Sequence, residues 1–438
     1  MRLERRFEAT IVATQEDRMR GPSPPALLRI RVFDLTLALL LVLALAPVWL
    51  ARAVLALIQT GRIVDRAERL GRDRRPFARL TFAGASPGRD WPVLFNILRG
   101  DMAFAGPRPL TAAEAAEMPV GAEIRFSIRP GLFSPYRLQR RTGIAHDAES
   151  ELDRRFVERL SLRGSLGLVV RSGIAALLGG GGERPAPPVL DFFGVPITNT
   201  TMDEAVDWIA ARASATAPFP GEKALVAFVN PDCLNIAYRH APYRTVLQRA
   251  ARVLPDGIGL HLGCRLRGLA LVANVNGTDL FPRLCERAAR DGLPLFLLGG
   301  RPGVAELTAA NMRQRYPRLI VAGAQHGYFT PAEEAGVIAR INASGARILL
   351  VAFGAPRQEL WLAERHDRLL PPVRLGVGGL FDFYSGRMPR APLWLREIGL
   401  EWVWRLAREP GRLWRRYLLG NPLFLYRVWR QARQESKR

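Results

Sequence analysis

From about residue 190 onward the chain repeats one pattern, a short apolar run that ends in glycine followed by a helical stretch. Ala224–Val229 reads as a buried strand. Thr278–Arg290 reads as a helix and Leu293–Leu298 as a strand ending in Gly299-Gly300. Val304–Arg315 is a helix and Leu319–Ala322 a strand. Ala332–Ala343 is a helix, Ile348–Phe353 a strand before Gly354, Arg357–Arg365 a helix, and Val373–Val377 a strand before Gly378-Gly379. Strands that alternate with helices imply a mostly parallel sheet covered on both faces. Ligands of such sheets sit beyond the carboxyl ends of the strands. Glycine there lets a phosphate or ring approach the backbone closely. A single glycine turn only ends a strand; three in one sheet favour a nucleotide site.

The texture changes at Gly179-Gly180-Gly181-Gly182-Glu183-Arg184-Pro185-Ala186-Pro187-Pro188, which reads as a linker. The chain of 438 residues is long enough for two or three cored domains, and 48% hydrophobic residues exclude a disordered chain. A net charge of +23 calls for an anionic neighbour: nucleic acid, an anionic bilayer face or phosphorylated substrates. Only Lys223 and Lys437 are lysines, so a coding bias toward arginine explains part of that charge, and only the placement of arginines is informative. No helix-turn-helix, RNP or zinc-finger pattern supports nucleic acid. Cys233, Cys264 and Cys285 lack C-x-x-C spacing and read as buried thiols in a reducing compartment. No metal motif is present, and no cofactor is expected.

Leu35–Ala51 is free of charge and contains Pro47. It is at the lower edge of what spans a bilayer. Arg29 and Arg31 precede it, and Arg52 and Arg62 follow it. If positive charge stays inside, both ends belong to the cytoplasm. A hairpin kinked at the proline meets these conditions; a straight transmembrane helix is the alternative.

Across the C-terminal part the residues fall in a recognisable order. It runs Asn230, Pro255-Asp256-Gly257, Gly277-x-Asp279, Leu298-Gly299-Gly300-x-Pro302, Gly327-Tyr328-Phe329 and Gly354-x-Pro356-x-Gln358-Glu359. Gly378-Gly379-x-Phe381-Asp382, Arg390-Ala391-Pro392, Glu401-Trp402-x-x-Arg405 and Glu409-Pro410 continue it. Over roughly residues 190–420 this resembles the WecG/TagA/CpsF glycosyltransferase family. The resemblance implies inverting transfer of a sugar from a UDP-sugar to a polyprenyl-diphosphate-linked acceptor. An in-line displacement needs a base for the acceptor hydroxyl and donors for the departing diphosphate. Asp256 is the candidate base, although Asp256-Gly257 is also an ordinary turn dipeptide. By analogy with the family, Asn230 and Gln358, with Glu359 beside it, orient the donor, while Gly299, Gly300 and Gly354 lie against the nucleotide. Asn230 before Pro231 is also suited to capping a helix. Two positions depart from the family pattern: Phe228 stands where threonine is frequent, and Asn274 stands where an arginine helps hold the donor. Both bear on which sugar is used. The stretch from Arg387 onward is basic and interleaves Trp394, Trp402, Trp404, Trp414 and Trp429, as suits an anionic leaflet. In the family such a tail closes over the site, and Arg405, Arg412 and Arg415 match in spacing; the plain alternative is a solvated amphipathic helix.

The earlier part carries a second resemblance. After the apolar hairpin come Arg69-Leu70-Gly71-Arg72, Pro76-Phe77, Pro92-x-Leu94-x-Asn96-x-Leu98 and Arg99-Gly100-Asp101-Met102. Gly106-Pro107-Arg108-Pro109, Arg129-Pro130-Gly131 and a helical run near Asp153–Ser172 follow. This resembles the bacterial sugar transferases, monotopic phosphoglycosyl transferases that move a sugar phosphate onto polyprenyl phosphate. Their chemistry needs an aspartate nucleophile followed by glutamate; here the pair is Arg89-Asp90. A guanidinium cannot attack phosphorus. The family's Lys-Phe-Arg segment is replaced by Leu80-Thr81-Phe82-Ala83. The unit is therefore expected to anchor rather than transfer, with Arg108 holding lipid phosphate; Asp90 as a displaced nucleophile is the alternative.

The expected architecture is α/β. A Rossmann-like, mostly parallel sheet with helices on both faces spans 190–386, and a basic tail spans 387–438. Before it come a lead-in at 1–28, a mainly helical membrane-associated unit at 29–178 with a re-entrant hairpin at 33–58, and a linker at 179–189. The expected partners are a UDP-sugar, a polyprenyl-diphosphate-linked glycan and an anionic membrane surface at the cytoplasmic face of the inner membrane. No motif fixes the oligomeric state, and a homo-oligomer remains open. A bifunctional enzyme and a non-catalytic scaffold of an assembly complex are the competing functional readings.

Overall fold

The computed structural model of the chain describes residues 24–84, 88–119, 121–142, 148–179, 184–215 and 223–435. Residues 1–23 of the expected lead-in and 180–183 of the expected linker lie outside them. Two compact units are present, Met1–Gly182 and Glu183–Arg438.

The first unit begins with helices Pro24–Ala44 and Ala46–Thr60, bent by 70° to one another. Pro47 lies in the first turn of the second helix, where a missing N–H costs nothing and the proline ring prevents a continuous rod. No single helix among the described residues is long and apolar enough to cross a membrane; this bent pair together is. Ile30, Asp34 and Ala38 face inward. Leu40, Leu43, Leu50 and Ile58 are exposed, an apolar surface that water does not favour. Strands β1 (Val64–Leu70) and β2 (Pro76–Phe82) pair antiparallel. Asn96, on the helix Val93–Arg99, is fully buried and ties that helix to β2. Its Oδ1 accepts from the Leu80 N–H at 2.9 Å and its Nδ2 donates to the Ala78 carbonyl at 2.8 Å. Arg31 donates to the carbonyls of Ile97 and Leu98 in the last turn of that helix. Strands β3 (Ala103–Ala105) and β4 (Gly131–Phe133) pair in parallel. Gly106 and Gly131 meet there so closely that neither has room for a Cβ, which accounts for the glycine in both motifs.

The second unit opens with a hairpin, β5 (Val189–Phe192) and β6 (Val195–Thr198), turning at Phe193-Gly194. The prolines before it pack onto this unit: the Pro185 carbonyl accepts from the Ala270 N–H, and those of Pro187 and Pro188 accept from Asn199. Six strands form the main sheet: β7 (Ala224–Val229), β8 (Arg252–Pro255), β9 (Leu295–Gly299), β10 (Val321–Gln325), β11 (Ile348–Ala352) and β12 (Val373–Gly376). Their spatial order is β10-β9-β11-β12-β7-β8, parallel at every pairing. Side chains alternate along each strand, so both faces are apolar. Leu295, Leu297, Ile348 and Leu350 pack under helices Met202–Ser214, Gly277–Asp291 and Val304–Arg315. Phe296, Leu298, Leu349 and Val351 pack under Pro331–Ala343 and Arg357–Glu364.

The basic tail is not one solvated helix. Its last helix, Gly420–Glu435, buries Phe424 and Val428 in the core of the second unit, with Phe424 against Phe192 at 5.9 Å between ring centroids. Asn235 donates to the Gly420 carbonyl at 2.8 Å, and Arg427 donates to Asn235 Oδ1 at 2.7 Å. Phe424→Ala is therefore expected to cost about 3–5 kcal/mol and to lower the melting temperature by roughly 10 °C. Leu418→Ala, on the exposed side, should stay within about 0.5 kcal/mol of the parent in the same thermal unfolding measurement.

Candidate active site

The carboxyl edge of the main sheet is built from glycine turns. Gly299 ends β9 with φ of 134° and Gly300 follows it with φ of 71°, Gly354 follows β11 with φ of 83°, and Gly378 follows β12 with φ of 58°. A side chain at Gly299 would meet the Ala352 backbone within 2.6 Å, so the turns after β9 and β11 approach closely only without one. β9 has β10 on one side and β11 on the other, the strand-order reversal at which open sheets form a crevice. A cleft of about 350 Å³ opens there. Gly300, Gly327, Gly354 and Gly378 floor it, and Arg301, Arg357, Arg387 and Arg412 line it against Asp382 and Glu409. An excess of guanidinium groups over backbone-rich walls suits a phosphorylated ligand.

Beneath the floor, Gln358 and Glu359 are buried. Gln358 Oε1 accepts from two glycine amides, Gly354 at 3.1 Å and Gly378 at 2.9 Å. Its Nε2 donates to Glu359 Oε1 at 2.7 Å. Burial pushes the Glu359 carboxyl up to about 7.

Asp256 follows β8 on the same edge of the sheet. With two strand spacings between them, its backbone lies roughly 10 Å from the end of β12. Its N–H donates to the Val229 carbonyl at 2.8 Å. The next amide, Gly257, donates to Asn274 Oδ1 at 2.7 Å, so Asn274 fixes the turn that carries the carboxylate. Desolvation raises the Asp256 carboxyl to about 6; Arg405 and Arg416 oppose that rise, while Glu401 and Asp279 add to it. Arg405 lies over the Phe383 ring at 5.5 Å, and its buried Nε has no hydrogen-bond partner. Arg416 pairs with Asp232 at 3.4 Å and comes from a single π turn, Arg415–Leu419. The tail is held here by ions: buried Asp279 takes Arg390 at 2.5 Å and Arg396 at 3.1 Å.

The structure thus brings Asp256, Asn274 and Arg405 together, and sets Gly299, Gly300, Gly354 and Arg412 about the cleft. Asn230 caps the helix Pro231–Arg239, its Oδ1 accepting from the Asp232 and Cys233 amides at 3.1 Å each. Arg415 is exposed and lies over the Trp414 ring at 5.3 Å; its neighbour Arg416 is the one that faces Asp256. Phe228 is in the apolar core beside Gly277 and does not line the cleft. The sequence reading missed Arg416, Arg301, Arg357 and Arg387. Arg301 and Arg357 directly follow glycine-containing turns, a signal that was available. All three cysteines are buried and free. Among the described residues no group of three or more His, Cys, Asp or Glu could hold a metal ion.

In the first unit, Arg89 is exposed and Asp90 pairs with Arg79 at 2.7 Å. Arg108 is held between Glu114 at 2.6 Å and Glu149 at 2.8 Å. Arg125 links Glu149 at 3.0 Å to Asp153, whose carboxyl burial raises to about 7. Arg108 is therefore already neutralised by carboxylates.

The family model described as glycosyl transferase WecG/TagA/CpsF family matches residues 190–438. The chain belongs to that family. A second model, described as bacterial sugar transferase, matches residues 89–179 of this glycosyltransferase. The chain is an enzyme of bacterial polysaccharide synthesis that takes a sugar donor and an acceptor. The bacterial sugar transferase family is membrane-associated.

Two outcomes follow from the electrostatics. Arg416→Met removes a cation facing Asp256, so the ionisation of that carboxyl should move up by about one pH unit, as followed by carbon-13 NMR of the aspartate carboxyls. Asp256 ionises in the folded state near 6 rather than at its ordinary 3.8. The folded chain therefore binds this proton more tightly, and that contribution to stability is lost as pH rises through this window. Asp256→Asn should raise the melting temperature at pH 8 and leave it unchanged at pH 3.5, as read by thermal unfolding at the two pH values.

Proposed function

We propose that this glycosyltransferase moves a hexose-type sugar from a UDP-sugar to a polyprenyl-diphosphate-linked acceptor, with inversion, at the cytoplasmic face of the inner membrane. The observation that carries the reading is a desolvated carboxylate, Asp256, faced by tail guanidinium groups on the edge that also bears an arginine-lined, glycine-floored cleft. In the proposed reaction the acceptor hydroxyl gives its proton to Asp256 and its oxygen forms the new bond to the anomeric carbon. The bond from that carbon to the diphosphate breaks, and UDP leaves with the electron pair. Arg301, Arg387 and Arg412 neutralise the departing charge, and Arg405 lies between them and the base. A base that ionises near 6 is deprotonated at neutral pH yet still basic enough to accept a proton.

For the first unit the proposal is anchorage without transfer. Arg89 occupies the nucleophile position of the sugar transferases and Asp90 is engaged by Arg79. The exposed apolar side of the bent helix pair suits insertion into one leaflet of an anionic bilayer.

Purified protein given UDP-sugars with a polyprenyl-diphosphate-linked acceptor should release UDP. With polyprenyl phosphate it should release no UMP. Asp256→Asn should lower UDP release by about 10²- to 10⁴-fold. Full activity in that variant would remove Asp256 from the mechanism, and release of UMP sensitive to Asp90→Asn would restore a bifunctional reading.

A further inference from the structure

We infer that Glu359 is a positioning residue for the nucleotide diphosphate: acting through Gln358, it fixes the two glycine turns that floor the cleft. The inference rests on the proposed donor site and names the buried pair that gives it shape.

One side-chain oxygen, Gln358 Oε1, accepts from both the Gly354 and Gly378 amides, which belong to the turns after adjacent strands β11 and β12. With those amides tied from below, Phe353, Gly354, Gly378 and Gly379 are presented to the cleft in one relative position. A carboxamide can do this in only one of its two flips. Turned over, its NH₂ group would face two N–H donors, and both amides would lose their acceptor. Glu359 Oε1 accepts from Gln358 Nε2 at 2.7 Å and so selects the working flip.

Stability alone accounts poorly for a carboxyl at this place. Glu359 has no exposed surface, and its second oxygen, Oε2, is buried without a hydrogen-bond partner. No salt bridge to it occurs among the described residues. The groups that sense its charge, the Cys233 thiol and the Tyr243 hydroxyl, offer no cation. An apolar side chain would fill the same helical position without burying an unmet acceptor. The neighbouring strand also yields space to the pair. A Cβ at Gly376, the last residue of β12, would lie 2.8 Å from both Gln358 Nε2 and Glu359 Oε1.

UDP binding by calorimetry on the full chain, alongside donor KM and kcat, tests this. Glu359→Leu should weaken UDP binding by about tenfold or more, with the loss in donor KM larger than the loss in kcat. Glu359→Gln keeps an acceptor for Gln358 Nε2 and should bind UDP within about threefold of the parent. Gln358→Met should match Glu359→Leu. The double variant should be no weaker than Gln358→Met alone, because the two residues act in series. Parent-like UDP affinity in a folded Glu359→Leu, or additive losses in the double variant, overturns the inference. Should Glu359→Leu fail to fold, parent-like affinity in Gln358→Met overturns it equally. Absence of UDP binding by the unaltered chain would instead overturn the proposed donor itself.

Discussion

Burial raises the pH at which a carboxylate ionises, and nearby positive charge opposes that rise. At Asp256 that charge comes from Arg405 and Arg416, well over a hundred positions further along the chain. The basicity of the group therefore depends on tail docking, and the tail docks by two independent means. One is ionic, Arg390 and Arg396 converging on buried Asp279. The other is apolar, Phe424 and Val428 entering the core beside the β5–β6 hairpin. Sheet, hairpin and tail are thus one electrostatic unit around a single acid, even though Asp256 and the hairpin belong to the opposite end of this unit's sequence.

The first unit is held by local devices: Asn96 ties helix to strand, Gly106 and Gly131 meet without side chains, and Arg31 donates to the end of a helix. These need hydrogen-bond geometry and close approach, not a nucleophile. The ionic cluster of Arg108, Arg125, Glu114, Glu149 and Asp153 is likewise internally balanced. A surface of exposed leucines on the bent helices has no such compensation and asks for an apolar environment.

Much of the second unit was legible because its physics is periodic. Ala224–Val229 and Ile348–Phe353 carry their own apolar pattern, and the structure moves their ends by no more than a residue, whereas Leu319–Ala322 shifts to Val321–Gln325. Val253-Leu254 was too short a signal to reveal β8, and the β5–β6 hairpin turns at Phe193-Gly194, a pair without the usual strong turn dipeptide. Of the candidate site, the glycines were readable because positive φ demands them, while Asp256 was named through the family resemblance. The ordering of the tail was not readable. The family's spacing points to Arg415, whereas Arg416, in the π turn Arg415–Leu419, is the residue whose charge acts on Asp256. Asn274 and Asn230 both accept backbone amides; the cap at Asn230 was legible from the proline after it, whereas the contact of Asn274 with the Gly257 amide joins residues 17 apart and was not.

That widened turn sets the phase between two obligations of the same helical segment. Within it, Arg416 looks toward Asp256; downstream, Phe424 points into the core and Arg427 toward Asn235. A regular α-helix advances about 100° per residue. A π turn holds about one residue more than an α turn, so the extra residue is absorbed within Arg415–Leu419 and the helix beyond it still turns Phe424 and Arg427 inward.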